Sequence, residues 1–437
     1  MKRFVIFFFL AFTFSLNAHD WKEQASGTKR DLLSVSAVTN KIAWISGRHG
    51  TVLRTINEGA AWQSVGGGNV LDTMDIMNIF ALDSSRALCS ASPVSDTILH
   101  TTTTHIFRTI DGGKTWKTVF TQTGGKINGI FMLDTSRGVA CGNPVNGRWS
   151  IWITSNGGET WDSSGVKIPS AALTDSGWNN AIWGDTSTHT LVFGTNDSTM
   201  FVSTDSGKTW STRKTTGLKD ITAIYFSTSN GLVGGTELLR TSDAGNTWRK
   251  ISTPGSGLIA GVIVHDNWDS FMARTGTKAS PGLHIYGAQN FGDSTWNVVY
   301  TAPDTTSYLY LTQARSGEGN AWAVREKGGI TIGLHSHSES LAVISGTAAP
   351  KSYTLSQNYP NPFNPSTTIS YSIAEARLVS IRVFDILGKE VAVLTNELKS
   401  PGTYSVSFDG SHLPSGMYIY RIQAGSFTES KKLMLLK

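Results

Sequence analysis

Acidic and basic side chains recur at fixed places in the first two thirds of this sequence. Asp111, Asp205 and Asp243 each begin a short turn that contains Gly and ends in Trp. Paired carboxylates can serve as acid and base in glycoside hydrolysis, and arginines can grip a substrate carboxylate. The arginines at the matching position before turns of this kind are Arg54, Arg108 and Arg240. Because all six residues occupy equivalent places in a repeat, the spacing favours roles in turns and backbone contacts over one convergent catalytic site.

The turns belong to a repeat of roughly 40 to 55 residues, a period typical of arrays whose units bury their apolar faces by stacking on neighbours. Its clear copies contain Asn57 and Trp62; Asp111, Gly113 and Trp116; Asn156, Gly158 and Trp161; Asp205, Gly207 and Trp210; and Asp243, Gly245 and Trp248. A looser copy ends at Trp296. We expect each Asp or Asn side chain to accept hydrogen bonds from backbone N–H groups just downstream, and Gly to supply a positive φ.

Short alternating runs surround every turn and predict β-strands. Residues 223–226, 231–234 and 237–241 form three such runs before Asp243, and Trp248 begins a fourth. Four short antiparallel strands per unit are typical of a propeller blade. Sets of three strands begin near Leu32, Asp72, Lys126, Ser170, Leu218, Leu258 and Ser307, and Trp-led fourth strands begin at Trp62, Trp116, Trp161, Trp210, Trp248 and Trp296. The fold class predicted is therefore all-β, with a seven-bladed β-propeller over residues 19–346.

The closure of this ring is predicted from the start of the chain. Trp21 begins a further strand over residues 21–24, which we expect to complete the last blade by pairing with residues 331–334. That pairing would leave no free sheet edge between the first and last blades. The alternative closure uses residues 340–344 and leaves Trp21 without a role.

Composition and charge agree with this architecture. The sequence has 45 Gly and only 16% charged residues, which suits many short strands and tight turns. Residues 4–349 carry 26 basic and 26 acidic side chains, so the sequence predicts no nucleic-acid partner. Cys89 and Cys141 follow similar runs but fall one position apart when these are aligned. Since neighbouring strand positions point to opposite faces, a disulfide is disfavoured.

The first 18 residues predict a signal peptide. Lys2 and Arg3 precede an apolar run over residues 4–14, and the small Ala18 lies where a signal peptidase would cut. The run is too short to cross a bilayer, and no later stretch is long and apolar enough to do so. We therefore expect export and no transmembrane segment.

After residue 346 the sequence changes character. Residues 347–356 form a predicted linker, and four of the chain's 12 prolines lie within residues 350–365. Beyond them, about seven short alternating runs in roughly 80 residues predict a small immunoglobulin-like β-sandwich over residues 357–437.

Both parts resemble known families. The Asp-containing turn resembles the Asp-box, or bacterial neuraminidase repeat. The longer pattern, over residues 21–346, is similar to the propellers of photosystem II assembly factors and to repeats in sortilin-like and xyloglucan-degrading proteins. This resemblance implies a fold and leaves the function open, because the box lies on the outer rim in enzymes and binders alike. A sialidase would also need an arginine triad, a tyrosine nucleophile and an acid/base Asp, and the family's Arg-Ile-Pro run is absent from the sequence.

The tail resembles the type A C-terminal sorting domain of the type IX secretion system. The matching segments are residues 359–363, 385–391, 413–418 and 431–437. The residues taken as the sorting signal are Gly388, Lys389, Gly416, Tyr418, Lys431, Lys432 and Lys437. The resemblance implies recognition by the type IX secretion machinery and delivery to the surface of a Gram-negative bacterium or to the medium. An ordinary accessory sandwich without a sorting role is the alternative.

The function of the propeller is less constrained. His335 and His337 could hold a metal on one strand face, but no third ligand is recognisable. Four tryptophans outside the repeat could stack on sugar rings or belong to the blade cores: Trp178, Trp183, Trp268 and Trp322. We predict no catalytic residue, cofactor or metal, and a propeller that binds a protein or polysaccharide. The alternatives are a sialidase-like or xyloglucanase-like glycoside hydrolase, which should show carboxylates about 5–10 Å apart in a central cleft, and an assembly factor for a membrane complex.

Overall fold

The computed structural model describes residues 19–66, 71–94, 103–172, 174–215, 217–265, 269–316, 319–335, 352–358, 361–375, 377–399, 402–410 and 413–436. The chain divides into two compact units after Ser338. The predicted signal peptide and the alternative closing segment 340–344 lie outside the described residues. No helix within the described ranges has the length and apolar character that a membrane crossing requires.

The described part of the N-terminal unit contains seven main antiparallel sheets, numbered here in chain order, of which the last also takes in strand β1 (His19–Gln24). Sheet 1 contains β2 (Leu32–Ala37), β3 (Ala43–Gly47), β4 (Val52–Thr55) and β5 (Gln63–Ser64). Sheet 2 contains β6 (Met74–Ala81), β7 (Ala87–Pro93), β8 (Thr103–Thr109) and β9 (Lys117–Thr123). Sheet 3 contains β10 (Ile127–Met132), β11 (Gly138–Val145) and β12 (Arg148–Thr154).

The remaining sheets follow the same order. Sheet 4 contains β13 (Gly177–Asp185), β14 (Thr190–Thr195), β15 (Thr199–Ser203) and β16 (Ser211–Lys214). Sheet 5 contains β17 (Ala223–Ser227), β18 (Asn230–Gly234), β19 (Leu238–Thr241) and β20 (Arg249–Ile251). Sheet 6 contains β21 (Ile259–Val264), β22 (Ser270–Arg274), β25 (His284–Ala288) and β26 (Asn297–Thr301), with the small hairpin β23 (Gly276–Thr277) and β24 (Ser280–Pro281). Sheet 7 contains β27 (Tyr308–Gln313), β28 (Ala321–Arg325) and β29 (Ile330–His335), with a short 3-10 helix at Glu326–Gly328.

The seven sheets form a closed ring. The first strands of successive sheets contact one another, and β27 of sheet 7 contacts β2 of sheet 1. Strand β1 pairs antiparallel with β29, which places Trp21 opposite Gly333. Sheet 7 is therefore completed by β1, the first strand of the described chain.

Sheet 3 departs from the predicted pattern. The expected Trp-led fourth strand at Trp161 is wrong, since only a single bridge joins Asp162 to Ile153. The Asp162 carboxylate accepts hydrogen bonds from the backbone and hydroxyl of Ser164, which turns the chain away from the sheet. The predicted start of the next set near Ser170 is also early, because β13 begins at Gly177.

Apolar side chains fill the space between every pair of neighbouring sheets. Seven separate clusters of buried residues each join one sheet to the next, including sheet 7 to sheet 1. The repeated tryptophans enter these clusters: Trp62 packs edge-to-face on Trp322 of sheet 7, with ring centroids 5.6 Å apart, and Trp116 packs on Trp44 of sheet 1 at 6.3 Å. The periodic indoles thus lie in the clusters that join neighbouring sheets.

The cysteines confirm the argument from strand alternation. Cys89 and Cys141 are buried and free. Cys89 packs in the cluster between sheets 1 and 2, whereas Cys141 packs between sheets 3 and 4. Burial raises the pKa of both thiols, that of Cys141 to about 12.

The C-terminal unit consists of two antiparallel sheets around one core. Its strands are β30 (Thr354–Leu355), β31 (Ser366–Ile373), β32 (Arg377–Phe384), β33 (Glu390–Lys399), β34 (Gly402–Asp409), β35 (Gly416–Ala424) and β36 (Phe427–Leu435). The three-stranded sheet has the order β30-β31-β34, and the four-stranded sheet has the order β33-β32-β35-β36. Buried side chains from both sheets, among them Ile369, Ile381 and Tyr420, form a single cluster.

Candidate functional site

The Asp-box turns are closed by their own hydrogen bonds. In the copy at Asp111, the carboxylate accepts the backbone N–H of Thr115 at 3.0 Å and its hydroxyl at 2.6 Å. The Thr109 hydroxyl donates to Asp111 and accepts the N–H of Gly113 at 2.9 Å, where φ is 84°. The same bonds from backbone N–H groups recur at Asn57, Asn156, Asp205 and Asp243.

These bonds fix the charge of the turn carboxylates. The hydroxyl and backbone N–H of Thr115 lower the pKa of Asp111 to about 2, and those of Thr247 do the same for Asp243. Partial burial raises the pKa of Asp205, but hydrogen bonds from Thr209 outweigh it and the net shift is downward. A carboxyl group held ionised in this way is a poor proton donor near neutral pH. The turn carboxylates therefore act as local caps.

The repeated arginines connect adjacent blades. Arg54 Nη1 donates to the carbonyl oxygens of Ser84 at 2.9 Å and Gly112 at 3.0 Å, both in sheet 2 turns. Arg108 Nε donates to Gly157 O at 2.9 Å in the turn of sheet 3. Arg240 Nη1 reaches Asn290 O at 3.1 Å in sheet 6. The prediction that these arginines bond neighbouring backbone is confirmed, and the three do not meet at one site.

The closing strand makes the equivalent contact between sheets 7 and 1. Gln24 Nε2 donates to Glu58 O at 2.8 Å, and the same amide accepts Trp62 Nε1–H at 3.0 Å. Between sheets 7 and 1, the neutral amide of Gln24 thus makes the contact that an arginine makes between other neighbouring sheets.

A cavity of about 480 Å³ lies on the axis of the ring. It is lined by the first strands of the sheets, and its exposed lining residues, Thr186, Thr228 and Arg315, follow the ends of β13, β17 and β27. In an antiparallel sheet the turns after the first and third strands lie on the same edge. The cavity therefore opens on the side of the propeller that carries the Asp-box turns.

Asparagine side chains close the inner end of this cavity. Strand β13 is irregular between Gly177 and Ile182, and Asn180 adopts φ 63°. Asn180 Nδ2 donates to Leu33 O at 2.9 Å, and Asn78 Nδ2 donates to Asn180 Oδ1 at 2.5 Å. These bonds run across the axis from sheet 4 to sheets 1 and 2.

Two further amide contacts complete the plug. Asn179 Nδ2 donates to Met77 O at 2.6 Å, and the N–H of Ile130 in sheet 3 donates to Asn78 Oδ1 at 3.0 Å. Four sheets are thereby tied together at the axis. We call Asn78, Asn179 and Asn180 the asparagine plug, and the cavity above it the central cup.

The lining of the central cup contains aromatic and amide side chains among aliphatic and hydroxyl groups. Phe80, Phe131, Trp183, Tyr225 and Tyr310 contribute rings, and Phe80 and Phe131 pack edge-to-face at 5.3 Å. Among the other lining side chains are Asn78, Asn180 and Gln313 and several hydroxyls. Such a surface offers flat apolar faces beside neutral hydrogen-bonding groups, which is the usual make-up of a small-ligand site.

Charged groups in the lining are few and already engaged. Asp185 accepts hydrogen bonds from Ser187 N at 2.8 Å and Thr188 Oγ1 at 2.9 Å. Burial raises its pKa, but the bonds from Ser187 and Thr188 outweigh this, so the pKa of Asp185 is lowered. Arg315 lies over the ring of Phe80 at 4.2 Å and donates to Ser36 Oγ at 2.9 Å. These are the charged residues among the described lining of the cup.

The residues singled out in the sequence are distributed unevenly. Trp183 lines the cup, whereas Trp322 is fully buried in the core. Trp268 and His337 lie outside the described residues. Within the described ranges, no group of three or more His, Cys, Asp or Glu side chains could hold a metal. The asparagine plug was not foreseen, although the consecutive Asn179 and Asn180 inside an otherwise apolar strand were a signal of an irregular backbone.

The sorting-domain residues lie in turns and at the end of the last strand. Asp385 Oδ1 accepts the N–H groups of Leu387 and Lys389, both at 2.9 Å, and Gly388 adopts φ 82°. The Tyr418 hydroxyl donates to Pro414 O at 2.8 Å, which fixes the turn before β35. Lys437, Tyr359 and Pro360 lie outside the described residues.

The start of this domain holds its last strand. Phe363 is buried, its N–H donates to Met434 O at 2.9 Å, and its carbonyl accepts the N–H of Leu436 at 2.9 Å. Asn361 Oδ1 accepts the N–H of Met434 at 2.9 Å, and Gln357 Nε2 donates to Lys432 O at 2.6 Å. The C-terminal end of the outer edge of β36 is therefore bonded by Gln357, Asn361 and Phe363.

Comparisons with known proteins agree with a propeller and a C-terminal sorting domain. Residues 357–436 match the family model for the secretion system C-terminal sorting domain. No match was found among curated proteins. Three similar solved structures each align with 72% of this chain. They are YCF48 bound to D1 peptide (13% identity, TM-score 0.55, 96% of that chain), YCF48 from Cyanidioschyzon merolae (17%, 0.52, 98%) and the WD40 β-propeller domain of Doa1 (14%, 0.51, 98%).

At these identities the solved structures establish the fold alone. Together with the family match, they make this chain a secreted protein in which a β-propeller precedes a secretion-system C-terminal sorting domain.

Proposed function

We propose that the chain is an exported binding protein whose propeller takes up a neutral polysaccharide in the central cup. Residues 1–18 would direct export across the inner membrane, and residues 19–346 would form the binding propeller. The predicted linker at 347–356 ends earlier than expected, because Thr354 and Leu355 form strand β30 of the C-terminal unit. The type IX secretion machinery would recognise this unit for passage across the outer membrane. The protein would then act at the cell surface or in the medium.

The observation that carries the binding role is the composition of the central cup. Its volume of about 480 Å³ is within the range of ligand sites, about 300–1,000 Å³. Trp183 and Tyr310 are half-buried and retain exposed ring surface toward the cup. Sugar rings present apolar faces that stack on aromatic rings and hydroxyls that bond to amides such as Gln313. The single opposite charges of Asp185 and Arg315 favour an uncharged ligand over a sialic acid.

The same lining argues against glycoside hydrolysis. That chemistry needs two carboxyl groups about 5–10 Å apart, one of them with a raised pKa. Asp185 is the carboxylate of the described lining, and its pKa is lowered. Binding without turnover is the interpretation that fits these groups.

The test uses the purified mature chain on an array of neutral and acidic glycans. We expect binding to neutral oligosaccharides, and Trp183→Ala should weaken it about 30-fold, the effect of removing an aromatic anchor worth about 2 kcal/mol. Ile110→Ala is the matched control, because Ile110 is exposed on a propeller turn away from the cup lining. Glycan binding that is unchanged in a folded Trp183→Ala variant would contradict the placement of the site, and release of reducing ends would favour the hydrolase alternative.

A protein ligand is the second candidate. One similar propeller is YCF48 bound to D1 peptide, so a fold of this kind can hold a peptide. A peptide array probed with the same variants would identify this case, because binding would then appear on peptides and be absent from glycans.

A further inference from the structure

We propose that one corner of the sorting domain docks onto a protein of the secretion machinery. The corner, here called the apolar corner, consists of Ile386 and Leu387 in the β32–β33 turn, Met417 at the start of β35 and Leu436 after β36. The inference rests on the proposed delivery through this domain. It is independent of the ligand proposed for the central cup.

Strand register brings these separate segments to one end of the four-stranded sheet. Phe384, the last residue of β32, pairs with Ile419 of β35. Met417, two residues further toward the same end, pairs with Met434 of β36. The turn after Phe384, the start of β35 and the end of β36 therefore lie side by side. Three of the four segments that carry the sorting resemblance meet there.

The turn side chains are exposed to a degree that folding does not explain. Leu387 is 88% exposed and Ile386 is 70% exposed, the highest values among large apolar residues of the described chain. The turn itself is held by Asp385 and by the positive φ of Gly388, so polar residues would serve equally well at the two positions. Met417 is 40% exposed and Leu436 is 51% exposed, and the strand register places both at the same end of the sheet as the turn. A group of exposed apolar side chains is typical of an interaction site.

The edge of the sheet beside the apolar corner favours docking through side chains. A partner strand would need a free edge there, but Gln357, Asn361 and Phe363 already bond the end of β36 at Lys432, Met434 and Leu436. A partner would therefore receive the turn side chains in a cleft of its own.

Nearby charges define the chemistry of that cleft. Lys389 and Lys432 are exposed beside the corner. The neighbouring acids are engaged, since Asp385 caps the turn and Glu390 pairs with Arg382 at 2.7 Å. The corner thus presents apolar side chains with a basic border, which fits an apolar cleft with an acidic rim.

The experiment compares delivery of full-length variants in the native cell by surface proteolysis and cell fractionation. Ile386→Ser with Leu387→Ser should lower surface-delivered protein about tenfold or more, the loss expected when two anchors of an interface are truncated, with accumulation in the periplasm. Ile56→Ser with Ile110→Ser is the matched control, because these residues are 53% and 60% exposed on propeller turns. Charge reversal by Lys389→Glu with Lys432→Glu should also reduce delivery.

Further arms separate the causes of failure. Deletion of residues 431–437 removes the end of β36 and should trap the chain in the periplasm. If the deletion is trapped but the Ile386→Ser, Leu387→Ser variant is delivered normally, the apolar corner is overturned and the sorting role stands. If both are delivered normally, the sorting role fails as well.

Two purified-protein measurements complete the test. Thermal unfolding should be unchanged in the serine variant; if it is not, Leu387→Asn, a residue favoured in turns, takes its place. Flotation with anionic phospholipid vesicles should show no binding of the wild-type chain. Vesicle binding that is lost in the variant would overturn the protein partner in favour of a lipid surface.

Discussion

Replacing Asn180 tests whether the asparagine plug holds the ring together at its axis. Asn180 is 4% exposed and Asn78 is 5% exposed. Asn180→Ala removes the bond to Leu33 O and leaves the amide of Asn78 without its acceptor, a loss of about 1–3 kcal/mol for a buried group. Alanine at φ 63° adds about 1 kcal/mol, because Asn tolerates this conformation better. We therefore expect the free energy of unfolding to fall by about 3 kcal/mol.

Tryptophan fluorescence isolates this effect from the second unit. All 14 tryptophans lie between Trp21 and Trp322, so the signal in urea reports the N-terminal unit alone. The midpoint should fall while the denaturant slope stays constant. Asn180→Gly is the control. It removes the same hydrogen bonds, but Gly adopts the positive φ without strain, so this variant should lack the part of the destabilisation of Asn180→Ala that comes from backbone strain. A shift below about 0.5 kcal/mol for Asn180→Ala would refute the reasoning, since two bonds across the axis would then contribute almost nothing.

Three other outcomes follow from the described contacts. The pKa of Asp111 and of Asp243 is lowered to about 2 in the folded chain. Their contribution to stability is therefore present above the unfolded pKa of about 4 and is lost as the pH falls toward about 2. In Asp111→Asn, the free energy of unfolding should depend less steeply on pH over that range. Arg54→Met should lower the free energy of unfolding by about 1–2 kcal/mol in urea, because it leaves two turn carbonyls without their donor, and a wild-type midpoint would contradict the inter-blade contact. Cys89 and Cys141 should resist a thiol reagent in the native chain and react in urea, whereas rapid native labelling would contradict their burial.

The features predictable from the sequence are those that repeat. The Trp116 setting recurs along the chain, and each copy obeys the same local chemistry of turn and strand, so its hydrogen bonds and packing follow from a few residues. The opposite placement of the two cysteines was predictable for the same reason, because strand alternation alone decides which sheet face each thiol occupies.

The central cup was not predictable in this way. Asn180 bonds to Leu33, 147 positions earlier in the chain, and no local pattern encodes that distance. The missing fourth strand of sheet 3 has a local cause, since the Asp162 side chain bonds to Ser164 in a segment that otherwise matches the other repeats. Residues that break the repeat thus carry the features particular to this propeller.

The pairing of β1 with β29 has a consequence for biogenesis. The two partners lie at opposite ends of the unit, so the circle stays open until the ribosome has passed His335. Throughout that interval β1 lacks its partner strand, and the fourth position of sheet 7 stays unfilled. The ring can therefore close only after the whole N-terminal unit has been synthesised.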